Sequence, residues 1–403
     1  MNDELLEERT YSKVAWRLIL FLFSCCVVAY LDRVNVGYSK LQLLNEFKFS
    51  EAMYCLGAGV FVIGYLFFDV PSNIILRRTG ARIWIARIMV TWGVLSAATM
   101  FVSNEYQFYT IRFFFGMADA GFFPSTALYL TYWLPAAHRA RAAALFMTAI
   151  ALAGVVGGPL SGWIMQCFAS TKGWAGWHWL FLLEGIPSVV VGILVLFYLD
   201  DSIQGAKWLN ADEKELLVNS TACYCKDKLE IRLGQLLNTP RVWLMSAIYL
   251  CFILVLYGMS FLLSQFIDSA GVKYQLNVSL LSAIPYGFAA VTMVLTGCCS
   301  DRTGVRRWHI STAAVAGALG LVLSGIYGGN LILAMGALTL VTTGILTSLP
   351  MFWTLPTAFL GGTAAAAGIA VIYYAGNLPG FATPYMVGAI QTQLAGLLPD
   401  LVF

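Results

Sequence analysis

Four ionisable side chains stand where a strongly apolar chain should carry none. Asp32 and Arg33 close the run VAWRLILFLFSCCVVAYL, which starts at Val14. Arg112 and Asp119 sit inside IRFFFGMADAG. On one helix their spacing puts them on a common face, about 10 Å apart in rise. An ionised side chain at a bilayer centre costs about 2.5–3.5 kcal/mol on insertion scales, so each needs a partner or a water-filled space. An arginine stays charged and grips a carboxylate through two parallel hydrogen bonds. A carboxyl shielded from water can be held neutral, and so can carry a proton. These residues therefore offer an anion clamp (Arg33, Arg112) and a proton carrier (Asp119, with Asp32 beside the clamp). The plainer alternative is a buried ion-pair lock. For Asp32 and Arg33, at the expected outer end of their span, a second alternative is side chains that reach the headgroups. Asp119, in mid-span with a short side chain, has no such route.

The elements that must position them are membrane helices. The chain is 59% hydrophobic and 11% charged, whereas a soluble domain is nearer a quarter charged. A spanning helix takes about 20 mainly apolar residues. Eleven such spans are expected, at 14–36, 52–75, 82–102, 106–132, 140–167, 177–199, 243–267, 279–300, 308–327, 330–350 and 357–391. The long polar stretch 200–242 divides six spans from five. The expected organisation is a tail over 1–13, an N-terminal half over 14–199, a central loop over 200–242 and a C-terminal half over 243–403. Arginines and lysines crowd the loops after spans 2, 4, 6 and 8 and are sparse in the alternate loops. Basic residues stay cytoplasmic, so the N-terminus and central loop are expected inside, with Trp174, Trp177 and Trp179 at the outer interface.

The net charge of +3 is too small to point to nucleic acid. No spacing of serine, histidine and acid suggests an enzyme, and no metal site or cofactor is expected. The nine cysteines lie mostly in apolar segments and read as small apolar residues. A weak repeat relates the halves. Asp69-VPSNIIL-Arg77-Arg78-Thr-Gly-Ala-Arg82 follows span 2, and Asp301-Arg302-Thr-Gly-Val-Arg306-Arg307 follows span 8. These acid-and-arginine loops are expected to form a cytoplasmic latch.

Several long motifs in order carry a resemblance. They are YLDRVNVG in span 1, VPSNIILRRTGARIWIARIM across spans 2 and 3, and RFFFGMADAGFFPSTALYLTYWLP in span 4. WHWLFLLEGIPSVVVG in span 6 and FWTLPTAFLGGTAAAAGIAVIYYAGN in the last span complete the set. Together they resemble the anion:cation symporter family of the major facilitator superfamily, whose bacterial permeases carry tartrate, phthalate, hydroxyphenylacetate and sugar acids. The resemblance implies an all-α integral membrane protein with two helical halves related by a repeat. It implies proton-coupled uptake of a small organic carboxylate by alternating access, in a monomer in the bacterial inner membrane.

By position in these motifs, Arg33 would bind the substrate carboxylate, with Arg112 beside it. Asp32 and Asp119 would couple protons. The span-4 acid is usually glutamate, so Asp119 reaches one methylene less. Tyr30, Tyr65 and Asn377 would line the cavity, with Thr354 a looser match. Tyr257 and Gln265 join them from their place in span 7 alone. Glu184 reads as structural. The glycines from Gly154 to Gly162 read as close helix packing, although a similar motif occurs in drug:proton antiporters. An exporter on the same fold is thus one alternative. The family has twelve spans, whereas this chain stops at GAIQTQLAGLLPDLVF after the eleventh. A shortened product of low stability with its C-terminus outside is expected, and a non-transporting remnant or sensor is the other alternative.

Overall fold

The computed structural model describes residues 2–47, 50–134, 136–169, 171–223, 239–269, 275–303, 306–327, 330–353, 355–356, 362–378 and 380. Helices and short connections account for all of them. Helix α1 (Asn2–Val14) passes through one π-helical turn, Ala15–Ile19, into α2 (Leu20–Phe47). Then come α3 (Glu51–Thr79), α4 (Ala81–Ala98), α5 (Glu105–Asp119), α6 (Phe122–Trp133), α7 (Ala136–Cys167) and α8 (Gly176–Tyr198). After α9 (Ala211–Cys223) follow α10 (Pro240–Ser269), α11 (Gln275–Thr303), α12 (Arg306–Ile326), α13 (Leu331–Phe352) and α14 (Gly362–Asn377). Every expected span except the fourth falls on one helix over its described residues. Eight helical stretches among the described residues are long and apolar enough to cross a membrane. The end of the last expected span, the final stretch GAIQTQLAGLLPDLVF and the C-terminus lie outside the described residues.

The helices are apolar on their outer faces as well as inside, unlike those of a soluble bundle, and small residues let some of them approach closely. On α8, Ile186, Val190, Ile193 and Phe197 are exposed, while Gly185, Ser188 and Gly192 are buried. Lipid is as apolar as leucine, so close packing rather than water exclusion must hold such helices together. Gly185 shows how close: a Cβ there would stand 2.7 Å from the Gly93 carbonyl oxygen of α4. The buried apolar residues form one large core within α1–α9 and a second within α10–α14, which α7 also joins through Met147 and Ala151. The halves meet where α7 crosses α11, and a Cβ on Gly154 would come 2.3 Å from the Tyr286 ring. The glycines of span 5 are indeed a packing device.

Four expectations need correction. Span 1 does not end near residue 36. Its helix continues to Phe47, with Asn35, Ser39 and Lys40 buried along it. Asp32 is therefore 1% exposed, inside the protein rather than at a headgroup surface. Span 4 is not one helix but two, broken at Ala120 and Gly121. Gly121 has φ +91°, a left-handed conformation open mainly to glycine, and a Cβ there would lie 2.1 Å from Ser72 Oγ. Trp177 is fully buried and donates its indole N–H to Glu46, so it belongs to the core and not to an interfacial belt. Finally, the central loop contains α9, and the tail is helical from Asn2.

These last two pieces dock on each other. Lys13 Nζ donates to both Glu213 oxygens, at 2.9 and 3.1 Å. The Asn210 N–H donates to Glu213 at 2.9 Å, the reciprocal half of an N-terminal capping box. Arg17 lies 4.8 Å from the Tyr198 ring and 5.0 Å from the Trp208 ring. Burial pulls the Glu213 carboxyl upward, but Lys13 and the Asn210 N–H outweigh it and hold it below the ordinary carboxylate value. A depressed carboxylate stabilises the fold above its unfolded value and loses that contribution as pH falls through the folded one. Lys13 is 40% exposed, so solvent limits the pair to about 1 kcal/mol or less. Glu213→Gln should therefore lower the melting temperature slightly at neutral pH and not at acid pH. An equal drop at both would contradict the assignment.

Candidate functional site

Helix α2 has two working faces. Cys26, Ala29, Tyr30 and Arg33 follow the i, i+3, i+4, i+7 rhythm of one helix stripe, and all four line a cavity between the halves. Trp92, Asp119, Phe122, Phe123 and Phe146 complete the wall of the first half. Tyr249 and Tyr257 of α10, with Tyr373 and Asn377 of α14, face them from the second. About 90 Å³ of this space admits water. One water needs about 10–15 Å³ by that measure, so the cavity holds several waters or one small solute.

Arg33 and Asp119 meet in it. Arg33 Nη2 donates to Asp119 Oδ2. The Asp119 side chain is wholly buried, while that of Arg33 keeps 27% of its surface open. The contact is single. Arg33 Nε and Asp119 Oδ1 have no hydrogen-bond partner among the described residues. Rings surround the guanidinium: Tyr30, Phe61, Tyr65 and Trp92 have centroids within 5.7–5.9 Å of its carbon, close enough for cation–π attraction. The α5–α6 break fixes the acid. Asp119 ends α5, and Ser72 Oγ of α3 donates to the Ala120 carbonyl at 2.7 Å while accepting from Trp84 Nε1 at 2.9 Å.

The other face of α2 points into the first half. Asp32 accepts from Ser96 Oγ at 2.8 Å and from Ser188 Oγ, and it is not part of the cavity wall. Nearby, Glu184 accepts from Ser161 Oγ at 2.8 Å. Asn35 sits beside the Glu184 carboxyl, yet neither Asn35 side-chain atom nor Glu184 Oε2 meets hydrogen-bond geometry among the described residues. Glu184 thus joins α7 and α8 to α2 through polar contacts. Removing one partner of a buried polar pair costs about 1–3 kcal/mol. Glu184→Ala should destabilise by about that much, and Glu184→Gln, which keeps the size and an acceptor, by less. Chemical unfolding in detergent measures the difference; equal losses would rule out a polar role for the side chain.

The remaining expectations divide. Of the two acids and two arginines, only Arg33 and Asp119 pair. Arg112 is 7% exposed and stacks over Phe61 and Phe115 at 5.0 and 5.4 Å. It does not line the cavity. Tyr257 and Asn377 do, and the Asn377 amide donates to the Tyr373 carbonyl at 2.8 Å. Tyr65 is near but not in the wall; its hydroxyl bonds that of Tyr373 at 2.7 Å across the halves. Thr354 and the side chain of Gln265 lie outside the described residues, as do the side chains of Arg77, Asp301, Arg302 and Arg306. Asp69 is buried, Arg78 and Arg307 are exposed, and Arg82 stands 3.8 Å from Asp201 at the start of the central loop.

Sequence reasoning missed Trp92, Phe122, Phe123, Tyr249 and Tyr373. Two carried a readable signal. Tyr373 is one helical turn before Asn377, and Tyr249 shares the stripe of Tyr257 on α10. The rings of α6 carried none, because an apolar ring facing a cavity looks like one facing a neighbouring helix.

A helical bundle in two halves around a central cavity also describes the proteins this chain is similar to. The family model described as Major Facilitator Superfamily matches residues 22–384. The "Putative metabolite transport protein NicT" of Pseudomonas putida is 45% identical over 389 residues, covering 96% of this chain and 89% of that protein. A "Putative tartrate transporter" of Agrobacterium vitis is 41% identical over 405 residues, covering 100% of this chain and 93% of that one. Among solved structures, an inward-facing, occupied bacterial homologue of the human lysosomal transporter Spinster aligns with a TM-score of 0.73. It shares 17% identity and covers 94% of this chain and 82% of that chain. The likeness runs through both halves and through the helices that carry Arg33 and Asp119, and on that ground the chain belongs to the major facilitator superfamily of multi-pass membrane transporters.

Proposed function

We propose that the chain is a secondary active transporter that takes up a small organic carboxylate together with protons. The carrying observation is the single hydrogen bond between Arg33 and Asp119 in a cavity between the halves. An arginine fork seats a carboxylate bidentately, and here Asp119 competes for it. A proton on Asp119 removes that competitor's charge and frees the fork. Proton and anion therefore favour each other's binding, as linkage between two sites requires. The loaded cavity is nearly neutral, so the halves rock around it at little electrostatic cost. Tyr30, Tyr257 and Asn377 would orient the cargo. Arg112 would act from behind the wall through the field at Asp119, and Asp32 would hold a proton away from the cavity.

The name of the Agrobacterium relative supports an organic acid as cargo, and the cation in the wall argues against an exporter of lipophilic cations. The asymmetry of arginine and lysine between loops supports a cytoplasmic N-terminus, the bacterial relatives support an inner-membrane location, and the repeated acid-and-arginine motif supports a latch made by the loops that follow α3 and α11.

Thermal stabilisation of the purified protein by a panel of carboxylates, at one acid and one neutral pH, tests this reading. A ligand at 100 times its Kd adds about 2.7 kcal/mol of stability. At least one acid should stabilise the protein, and more so at acid pH. Stabilisation by none, or equal stabilisation of Arg33→Ala, would contradict it.

A further inference from the structure

We propose that the cargo is an aromatic monocarboxylate: one charged end on a flat apolar body. This rests on the carboxylate reading above and narrows it. The first argument is charge. Among the described residues of the cavity wall Arg33 is the one cation, and Asp119 already takes one of its N–H groups. Arg112 turns its guanidinium onto Phe61 and Phe115 instead of into the space. One guanidinium seats one carboxylate. The second carboxylate of a dianion would be buried without a partner, which is among the most unfavourable arrangements a site can hold.

The second argument is the wall itself. Phe122, Phe123 and Phe146 supply ring faces from the first half, and Tyr249 and Tyr373 supply them from the second. Phe123 and Tyr373 are stacked across the junction, with an interplanar angle of 4° and centroids 5.6 Å apart. That stack joins the two halves at the cavity wall. Rings attract rings beyond their area of contact, so an aromatic cargo gains contacts that a saturated acid of equal size does not. A polyhydroxylated acid would need a partner for each hydroxyl. The Tyr373 hydroxyl is already engaged by Tyr65, and one Asn377 N–H is taken by the Tyr373 backbone, which leaves few partners for several hydroxyls. The hydroxyls of Tyr30 and Tyr257 suit one ring substituent better than a chain of alcohols.

The test uses the full chain purified in detergent and three probes: benzoate, cyclohexanecarboxylate and L-tartrate. Isothermal titration reads their affinities. Benzoate should bind about tenfold or more tightly than L-tartrate, a difference of about 1.4 kcal/mol per factor of ten. Cyclohexanecarboxylate, with the charge and bulk but no ring face, should fall between them. Benzoate binding should vanish in Arg33→Ala; Arg33→Gln serves if the alanine variant fails to fold. Retained benzoate binding without Arg33 would show partition into apolar surface and overturn the proposal. L-tartrate binding as tightly as benzoate overturns the aromatic assignment and leaves the carboxylate reading standing. If none of the three binds, the aromatic assignment falls, and the wider carboxylate panel decides the carboxylate reading separately.

Discussion

Arg33→Ala should abolish anion binding, with a loss of about 100-fold or more. Truncating one side of a desolvated, hydrogen-bonded charge pair costs about 2–5 kcal/mol, or about 1.4 kcal/mol per factor of ten. Arg33→Lys keeps the charge but replaces a planar fork with a compact ammonium, and it should weaken binding by about tenfold. The order parent, lysine, alanine is the specific expectation. A fold defect would follow the same order, because either variant disturbs the buried Asp119 and alanine leaves it unpaired. Melting of each variant without ligand separates the two effects. If Arg33→Ala binds and accumulates an identified anion as the parent does, the clamp is elsewhere.

Asp119→Asn should have a different signature. The amide copies the neutral form of the acid, so it no longer competes as a charge for Arg33. Anion binding should survive, lose most of its pH dependence, and strengthen at neutral pH by about tenfold, within the usual range of coupling between two sites. Uphill uptake on a pH gradient should disappear, while exchange of internal for external anion persists. Unchanged gradient-driven accumulation in Asp119→Asn would remove the proton role from this residue.

Much of this site was legible in the sequence, for physical reasons. Charges inside membrane spans are so unfavourable that each one marks a constraint, and Arg33 and Asp119 were found that way. Tyr30 came from the family resemblance of its motif, not from the charges themselves. What sequence could not give was which face each charge takes. Asp32 and Arg33 are adjacent, so they point about 100° apart around α2. Arg33 reaches the cavity, and Asp32 reaches the serines of α4 and α8. Composition likewise missed the break after Asp119. FFFGMADAGFF reads as one apolar span, and only the close approach of Ser72 shows why Gly121 must turn the chain. Arg112 was hidden by the same ambiguity: an arginine stacked on phenylalanines and one lining a cavity have the same neighbours in sequence.

The central claim is that carboxylate and proton share the Arg33–Asp119 site and move together. Proteoliposomes holding the purified chain, loaded with neutral buffer and diluted into acid buffer, test it most directly when the labelled carboxylate is one that binds the protein and does not cross protein-free liposomes. The account predicts transient accumulation above the equilibrium level, lost when a protonophore collapses the gradient and absent with Asp119→Asn. Protein-dependent uptake that reaches the same level with and without the gradient would contradict it.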